Sequence, residues 1–228
     1  AMTPCTATPP GFVIAPTTTP GLTVHIIPGI AQDSPADVMR GEETQVLGLF
    51  QSEDMRASTG QCTVVLPGTH CKHVQVEAAS IVDFRTYMTG ELFDVLGLHS
   101  ILRHSVASDA DAPLHTSPSF SEGVELARTM PLSAALFRVR TRQVLDGHEP
   151  VENRAFLSGL LIGNELAELS SGPHASQPIA LCASGRLAEA YRNAAGVLAL
   201  TDRLLQVSDA DLERLASLGQ ACVARRFG

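Results

Sequence analysis

A tight turn between two apolar, β-branched stretches constrains the fold of this chain more than any other feature. Residues 63–66 read Thr-Val-Val-Leu, and residues 67–70, Pro-Gly-Thr-His, supply the turn. Beyond the turn, Val74, Val76 and Phe84 are separated by polar residues, which is typical of strands with one buried face. The stretch therefore predicts a β-hairpin followed by a third strand.

Regular elements are expected on both sides of this hairpin. The third strand should end at Thr89-Gly90, with Thr89 capping a helix that begins at Glu91. Apolar residues at helical spacing predict further helices, and short apolar runs predict further strands. The helices are expected over residues 41–50, 119–129, 132–145, 151–169, 186–195 and 212–224, and the strands over residues 22–27 and 178–183. Strands alternating with helices predict an α/β fold.

One predicted helix carries a signal for close packing. Gly159 and Gly163 are four residues apart in the helix expected over residues 151–169, so they lie on one face of it. Small residues at that spacing let a second backbone approach closely, and we expect a neighbouring helix to pack there.

Composition excludes several classes of protein. A chain of 228 residues that is 44% hydrophobic and 18% charged is an ordinary globular sequence. Its net charge of -8 argues against binding to nucleic acids or anionic membranes, which require a basic face. No apolar run is long enough to span a bilayer, and we expect no secretory leader. The five scattered cysteines, without a C-x-x-C pair, predict a reduced, cytoplasmic protein.

The hairpin turn is a candidate site for an anion. Gly68 and Thr69 can direct backbone N–H groups and a hydroxyl toward one point, and Lys72 can add a positive charge there. Such a site suits a phosphate group, with His70 nearby. The same Pro-Gly-Thr sequence is also ordinary hairpin chemistry, so the turn alone does not distinguish the two interpretations.

Two other stretches are candidate ligand sites. A buried strand runs through Ser184 and Gly185 into a predicted helix, and free N–H groups converge at such a corner. A zinc site built from cysteine and histidine residues near the hairpin is the alternative. Its ligands would be Cys62, His70, Cys71 and His73. Neighbouring residues on a strand point to opposite faces, so these side chains diverge and no metal ligand is assigned.

Four blocks of residues, in order along the chain, carry a family resemblance. They are residues 37–45 (Asp-Val-Met-Arg-Gly-Glu-Glu-Thr-Gln), 66–72 (Leu-Pro-Gly-Thr-His-Cys-Lys), 84–92 (Phe-Arg-Thr-Tyr-Met-Thr-Gly-Glu-Leu) and 156–163 (Phe-Leu-Ser-Gly-Leu-Leu-Ile-Gly). With these blocks the chain resembles the 2-dehydro-3-deoxygalactonokinases of the sugar kinase, Hsp70 and actin superfamily, from about residue 26 to about residue 191.

The resemblance implies a fold and a reaction. The fold would be the actin-like (ribonuclease H-like) kinase fold, with residues 1–60 a remnant of the N-terminal lobe and residues 61–228 the nucleotide-binding lobe. The reaction would be ATP-dependent phosphorylation of 2-dehydro-3-deoxy-D-galactonate to its 6-phosphate in galactonate catabolism, with Mg²⁺. Partners would be the sugar acid and ATP, without nucleic acid or membrane, and a homodimer is a further expectation.

The resemblance also implies residue roles. The nucleotide and its phosphates would contact Gly68, Thr69, His70, Lys72, Ser184 and Gly185, and the cleft that binds the sugar acid would include Arg40, Arg85, Thr86 and Glu91. Arg40 would clamp the carboxylate of the substrate, and Glu42 or Glu43 would accept the hydroxyl proton. The sequence does not choose between these two glutamates, and acidic residues are common in the first turn of any helix.

One expected motif is missing from the sequence. Kinases of this superfamily carry a first phosphate hairpin of the form Asp-x-Gly-Thr/Ser near their N-terminus, and no such segment occurs here. The N-terminal lobe is therefore expected to be incomplete. A catalytically inactive protein that keeps the fold and binds the sugar acid is the alternative function.

Overall fold

The computed structural model describes residues 2–6, 13–52, 55, 60–107, 113–205 and 207–227. The strands are β1 (Cys5–Thr6), β2 (Val13–Ala15), β3 (Val24–Ile26), β4 (Ile30–Asp33), β5 (Ala36–Met39), β6 (Gln61–Leu66), β7 (Cys71–Glu77), β8 (Ser80–Tyr87), β9 (Ile179–Leu181) and β10 (Leu204–Leu205). The helices are α1 (Glu42–Leu49), α2 (Thr89–His99), α3 (Pro118–Ala127), α4 (Leu132–Asp146), α5 (Pro150–Ala167), α6 (Gly185–Val197), α7 (Asp209–Leu212) and α8 (Leu215–Phe227).

A mixed six-stranded sheet organises these elements, in the order β1-β8-β7-β6-β9-β10. The hairpin predicted around residues 67–70 is confirmed, because β6 pairs antiparallel with β7 from Gln61↔Glu77 to Leu66↔Lys72. β8 follows antiparallel on β7, whereas β9 pairs parallel with β6 and β10 parallel with β9. The α/β fold class is confirmed. Two small antiparallel sheets, β2-β3 and β4-β5, lie before the hairpin.

Helices cover both faces of the sheet. Side chains alternate along β6 and β7, so Val64 and Val74 lie in one core that includes α1 and α8, while Val65 and Cys71 lie in another with α3, α5 and α6. A strand buried on both faces reads as a nearly continuous apolar run, which is the pattern of residues 63–66.

Glycines allow two helix pairs to pack closely. A Cβ atom at Gly159 of α5 would overlap the carbonyl oxygen of Phe120 in α3, and one at Gly163 would lie 2.7 Å from the Cα of Val124. The close contact predicted from the spacing of Gly159 and Gly163 is confirmed. On the opposite face of the sheet, a Cβ at Gly48 of α1 would overlap the carbonyl oxygen of Leu215 in α8.

The predicted cap of the helix after β8 is wrong. β8 ends at Tyr87, the helix begins at Thr89 itself, and Met88 is its N-cap residue without a side-chain cap. The hydroxyl of Thr89 instead donates a hydrogen bond to the buried carboxylate of Glu165. The Thr89 hydroxyl is therefore used in a contact with a distant residue rather than in capping its own helix.

The predicted C-terminal helix is split into α7 and α8. Ser208 caps α7 by accepting a hydrogen bond from the N–H of Asp211 at 3.2 Å. Within the described residues, no helix is long and apolar enough to cross a membrane.

Candidate functional site

The hairpin turn and the start of α2 pack against each other as one unit. The N–H of Glu91 donates to the carbonyl oxygen of Thr69 at 3.0 Å, and His70 Nε2 lies 2.5 Å from Glu91 Oε2. A Cβ at Gly90 would lie 2.5 Å from the carbonyl oxygen of Gly68. Four sequence-predicted site residues, Gly68, Thr69, His70 and Glu91, are thus brought together.

A cavity of about 250 Å³ opens beside this unit. Gly68 and Gly90 line it, and because glycine has no side chain their contribution is backbone. A Cβ at Gly68 would meet no atom within 4 Å, so there is open space above the turn. The remaining lining residues are Thr89, Phe93, Leu114, His115, Ser158, Leu161, Ile162, Arg186, Leu187, Ala190 and Tyr191. The cavity therefore combines a wall of backbone groups with a mainly apolar slot.

Lys72 lies on the other face of the sheet, below the turn. Its side chain is 5% exposed, and Nζ lies 3.2 Å from Glu42 Oε1 at the start of α1. Nζ also donates to the carbonyl oxygen of His70 at 3.5 Å. A buried cation is stable only when it is paired and hydrogen-bonded, and these two contacts supply that environment next to the turn.

Glu42 and Glu43 differ in environment although they are adjacent. The carboxylate of Glu43 accepts a hydrogen bond from the N–H of Gly41 at 2.6 Å and another from the Thr44 hydroxyl at 3.1 Å. Its side chain is buried, and this burial raises the pKa of Glu43 above its ordinary value. Glu42 accepts from the N–H of Arg40 at 3.0 Å and turns its other oxygen toward Lys72. The Arg40 side chain is exposed.

Thr86 and Arg85 do not share a cleft. Thr86 donates from its N–H and its hydroxyl to the two oxygens of Asp37, both at 2.7 Å, which ties β8 to β5. Arg85 projects to the opposite face and pairs with Glu168, an acceptor that it shares with the hydroxyl of Tyr87 at 2.8 Å. Arg85 lines a second, more polar cavity of about 320 Å³, so the structure separates it from Arg40.

The corner between β9 and α6 lies next to the first cavity rather than in its wall. Ser184 is the N-cap residue of α6 without a side-chain cap, and Gly185 has a φ of 58°, a conformation that favours glycine. The two residues that follow, Arg186 and Leu187, line the cavity. The corner predicted from the sequence is present at Ser184 and Gly185, and their contact with a nucleotide stays a prediction.

Several lining residues were not predicted from the sequence. Arg186 could have been, because it lies in the first turn of the helix that follows the predicted corner. His115 and Tyr191 carry no sequence signal, since their places in the wall depend on tertiary packing. In the described part of the chain, no group of three or more His, Cys, Asp or Glu residues could hold a metal ion.

Three of the residues considered as zinc ligands have separate partners in the structure. Cys71 Sγ lies 3.2 Å from the hydroxyl of Tyr191 in α6, and His73 contacts Glu165 in α5. His70 instead faces Glu91 of α2.

Comparison with known proteins identifies the relatives of this chain. A family model described as 2-keto-3-deoxy-galactonokinase matches residues 2–218. A probable 2-dehydro-3-deoxygalactonokinase, DgoK1, from Rhizobium meliloti (strain 1021) is 38% identical over 206 residues, which are 89% of this chain and 64% of the relative. The 2-dehydro-3-deoxygalactonokinase of Escherichia coli (strain K12) is 38% identical over 181 residues, or 78% and 58% of the two chains.

A solved structure agrees with these relatives. The crystal structure of a Sinorhizobium meliloti protein, to which 2-dehydro-3-deoxygalactonokinase activity is ascribed, superposes with a TM-score of 0.81 at 35% identity, covering 94% of this chain and 69% of the other. The matched part spans just under two thirds of the longer curated relatives. The arrangement of turn, helix and cavity therefore occurs in a chain that belongs to the 2-keto-3-deoxy-galactonokinase family.

Proposed function

We propose that the protein transfers the terminal phosphoryl group of ATP to 2-dehydro-3-deoxy-D-galactonate, giving its 6-phosphate in galactonate catabolism. The observation that carries this proposal is the hairpin turn at residues 67–70, packed on the start of α2 beside a cavity with a backbone wall. The names of the related proteins supply the substrate and the reaction.

The actin-like, ribonuclease H-like fold is part of the proposal. The strand order β8-β7-β6-β9-β10, with three antiparallel strands followed by two parallel ones, supports it. We assign residues 61–228 to the nucleotide-binding lobe and residues 1–60 to a remnant of the N-terminal lobe. The boundary at residue 60 divides the sequence but not the hydrophobic core, because Met39 and Val46 share a core with Val64 and Val74.

We place the nucleotide in the cavity of about 250 Å³. Its phosphates would lie toward Gly68, Thr69 and His70, where backbone N–H groups can hold an anion at little steric cost. Phe93, Leu161 and Leu187 offer an apolar slot for the adenine ring of the nucleotide, and Ser184 and Gly185 would adjoin this slot. Phosphoryl transfer depends mostly on positioning and on neutralising charge, which this arrangement suits.

Mg²⁺ fits this site as an ion held chiefly by phosphate oxygens. Magnesium sites of this type need only one or two protein carboxylates, and Glu91 lies beside the turn through its contact with His70. The ion would neutralise charge on the phosphates. Lys72, on the other face of the turn, would add a fixed positive charge that needs no metal.

For the sugar acid we propose the mouth formed by the start of α1. The exposed guanidinium of Arg40 can clamp a carboxylate in a bidentate way. Glu42 is the better candidate for the proton acceptor, because its side chain is 26% exposed whereas Glu43 is buried and hydrogen-bonded to Gly41 and Thr44. Glu91 remains a proposed neighbour of the substrate, while Arg85 and Thr86 are engaged by Glu168 and Asp37.

The proposal includes a cytoplasmic location and a homodimer. The described residues contain five cysteines without a disulfide, which supports a reduced compartment. Phe137, Val144 and Leu145 of α4 are more than half exposed, and exposed apolar side chains of this size support an association surface.

The test is an assay of ADP release with Mg-ATP and 2-dehydro-3-deoxy-D-galactonate, with the product identified by mass spectrometry. The substitution Lys72→Met should lower kcat/KM by about 100-fold, the effect of removing one preorganised charge from a transition state. The matched control Arg138→Met removes an exposed cation of α4 and should leave kcat/KM unchanged.

Two outcomes would contradict the proposed kinase activity. One is an active protein in which Lys72→Met behaves like Arg138→Met. The other is a protein that is stabilised by the sugar acid, not by Mg-ATP, and releases no ADP, which would favour the inactive sugar-acid-binding protein instead.

A further inference from the structure

A carboxylate buried between the sheet and α5 connects the elements that surround the first cavity. Glu165 is 1% exposed. Its Oε1 lies 2.9 Å from Nε2 of His73 in β7, and its Oε2 accepts hydrogen bonds from the hydroxyl of Tyr191 in α6 at 2.8 Å and from that of Thr89 at the start of α2. A buried carboxylate is costly unless it is fully hydrogen-bonded, and here three separate elements supply the donors.

These donors belong to the structure around the cavity. Thr89 and Tyr191 line it, whereas Glu165 and His73 do not. Burial raises the pKa of Tyr191 well above its ordinary value, so its hydroxyl remains a donor at neutral pH. Glu165 therefore lies behind the cavity wall, joined to α2 and α6 by direct hydrogen bonds.

A second set of contacts extends from Tyr191 to the hairpin turn. The sulfur of Cys71 lies 3.2 Å from the hydroxyl of Tyr191 and is also in contact with the N–H and the carbonyl oxygen of Gly68, at 3.4 and 3.3 Å. Burial raises the pKa of Cys71 to about 11, so the thiol keeps its proton. The turn is thus linked to Glu165 through Cys71 and Tyr191, as well as along β7 through His73.

We propose that Glu165 is a positioning residue for the nucleotide cavity. It fixes the turn at residues 67–70, the start of α2 and the first turns of α6 relative to one another without touching the ligand itself. This role rests on the proposed function only for the identity of the ligand, since the contacts that define it are internal to the protein.

The inference predicts effects that differ from a general loss of stability. If Glu165 served only to stabilise the fold, removing its hydrogen bonds would lower the melting temperature and leave the cavity intact in the folded molecules. If it positions the cavity wall, the same change loosens the turn and the start of α2 within the folded state, and it weakens nucleotide binding more than sugar-acid binding.

The experiment compares four variants with the wild type. Glu165→Gln keeps the shape of the side chain but replaces one acceptor by a donor. His73→Leu removes a donor to Glu165 without altering the lining of the nucleotide cavity, and His73→Gln restores an N–H group near the position of Nε2. The control Thr63→Val breaks a buried hydrogen bond of 2.9 Å to Gln75 on the same sheet, away from this cavity.

Two readouts are measured on each variant. Hydrogen–deuterium exchange of the free protein reports on peptides that cover residues 67–70 and 89–92, and calorimetric titration gives the Kd for Mg-ATP and for 2-dehydro-3-deoxy-D-galactonate. Glu165→Gln and His73→Leu should speed exchange in both segments and raise the Kd for Mg-ATP about fivefold, the value of one hydrogen bond. The sugar-acid Kd should stay within about twofold, and His73→Gln should recover most of the loss.

Each outcome decides whether Glu165 positions the wall of the cavity. The inference is overturned if Glu165→Gln and His73→Leu match Thr63→Val in exchange and in both Kd values, whatever their melting temperatures. Should Glu165→Gln fail to fold, the comparison of His73→Leu with His73→Gln still applies. If wild-type protein does not bind Mg-ATP, the proposed function fails, while the exchange rates of residues 67–70 and 89–92 still decide whether Glu165 positions these segments.

Discussion

The positions of the adjacent residues Glu42 and Glu43 could be predicted from the sequence, but their environments could not. Their place at the start of a helix was predictable from local pattern, and α1 does begin at Glu42. Their different environments were not, because Glu43 is buried and accepts from the N–H of Gly41, whereas Glu42 faces Lys72 of β7. Environment, rather than residue type, separates a candidate base from a structural carboxylate.

The raised pKa of Glu43 predicts a specific pH dependence. Because burial disfavours the charged form, the folded protein binds this proton to a higher pH than the unfolded chain does. The contribution of Glu43 to stability is therefore lost as pH rises from about 4.5 through the folded-state value. In urea unfolding between about pH 4 and pH 8, Glu43→Gln should become more stable relative to wild type as pH increases. Parallel stability curves would contradict this.

The opposite orientations of Arg85 and Thr86 could have been predicted from their adjacent positions on one strand. Neighbouring residues of a strand point to opposite faces, and the structure has Thr86 bonded to Asp37 and Arg85 paired with Glu168. The expectation that both belong to one cleft came from the family resemblance, whereas the alternation along β8 argues against it.

At the scale of elements, the hairpin and most helices followed from the sequence because their signals are local. The turn at residues 67–70 and the apolar periodicity of α1, α4 and α5 lie within short windows. The contact of the turn with α2 had no such signal. It depends on Gly90, whose lack of a side chain lets the helix start meet the backbone of Gly68.

Two glycines of α2 provide a matched pair for testing this contact. A Cβ at Gly90 would lie 2.5 Å from the Gly68 oxygen and 2.8 Å from the Thr69 Cα, whereas one at Gly97 would meet only Val106 Cγ2 at 3.8 Å. Gly90→Ala should cost about 1–3 kcal/mol of unfolding free energy and weaken Mg-ATP binding. Gly97→Ala should stabilise the helix by about 0.5–1 kcal/mol. Urea unfolding measures both, and equal effects would argue against the contact.

For the molecule as a whole, the feature that no local pattern indicated is the packing of α1 on α8. Cβ atoms at Gly48 and Gly219 would overlap the carbonyl oxygens of Leu215 and Thr44, so the two helix backbones touch. This contact joins distant parts of the chain and holds α1, the helix that begins at Glu42. A sequence window of a dozen residues carries no information about such a pairing.

The substitution Gly48→Ala tests this support. The added methyl group forces α1 and α8 apart, so we expect a loss of about 1–3 kcal/mol in unfolding free energy, and a lower kcat/KM because Glu42 moves relative to Lys72. Gly196→Ala in α6 is the control, since its Cβ would meet only Thr201 Oγ1 at 3.8 Å. A Gly48→Ala protein as stable as this control would show that the helices do not touch in solution.

The pairing of α1 with α8 has a consequence for how the protein is made. Residues 50–214 separate the two helices, and at typical rates of synthesis a ribosome needs roughly 8 to 33 seconds to add them. During that interval the apolar residues Val46, Leu47 and Leu49 have no helical partner. The packing of α1 on α8 can therefore be completed only after translation has passed α8, and until then α1 lacks the helix that Gly48 contacts in the folded protein.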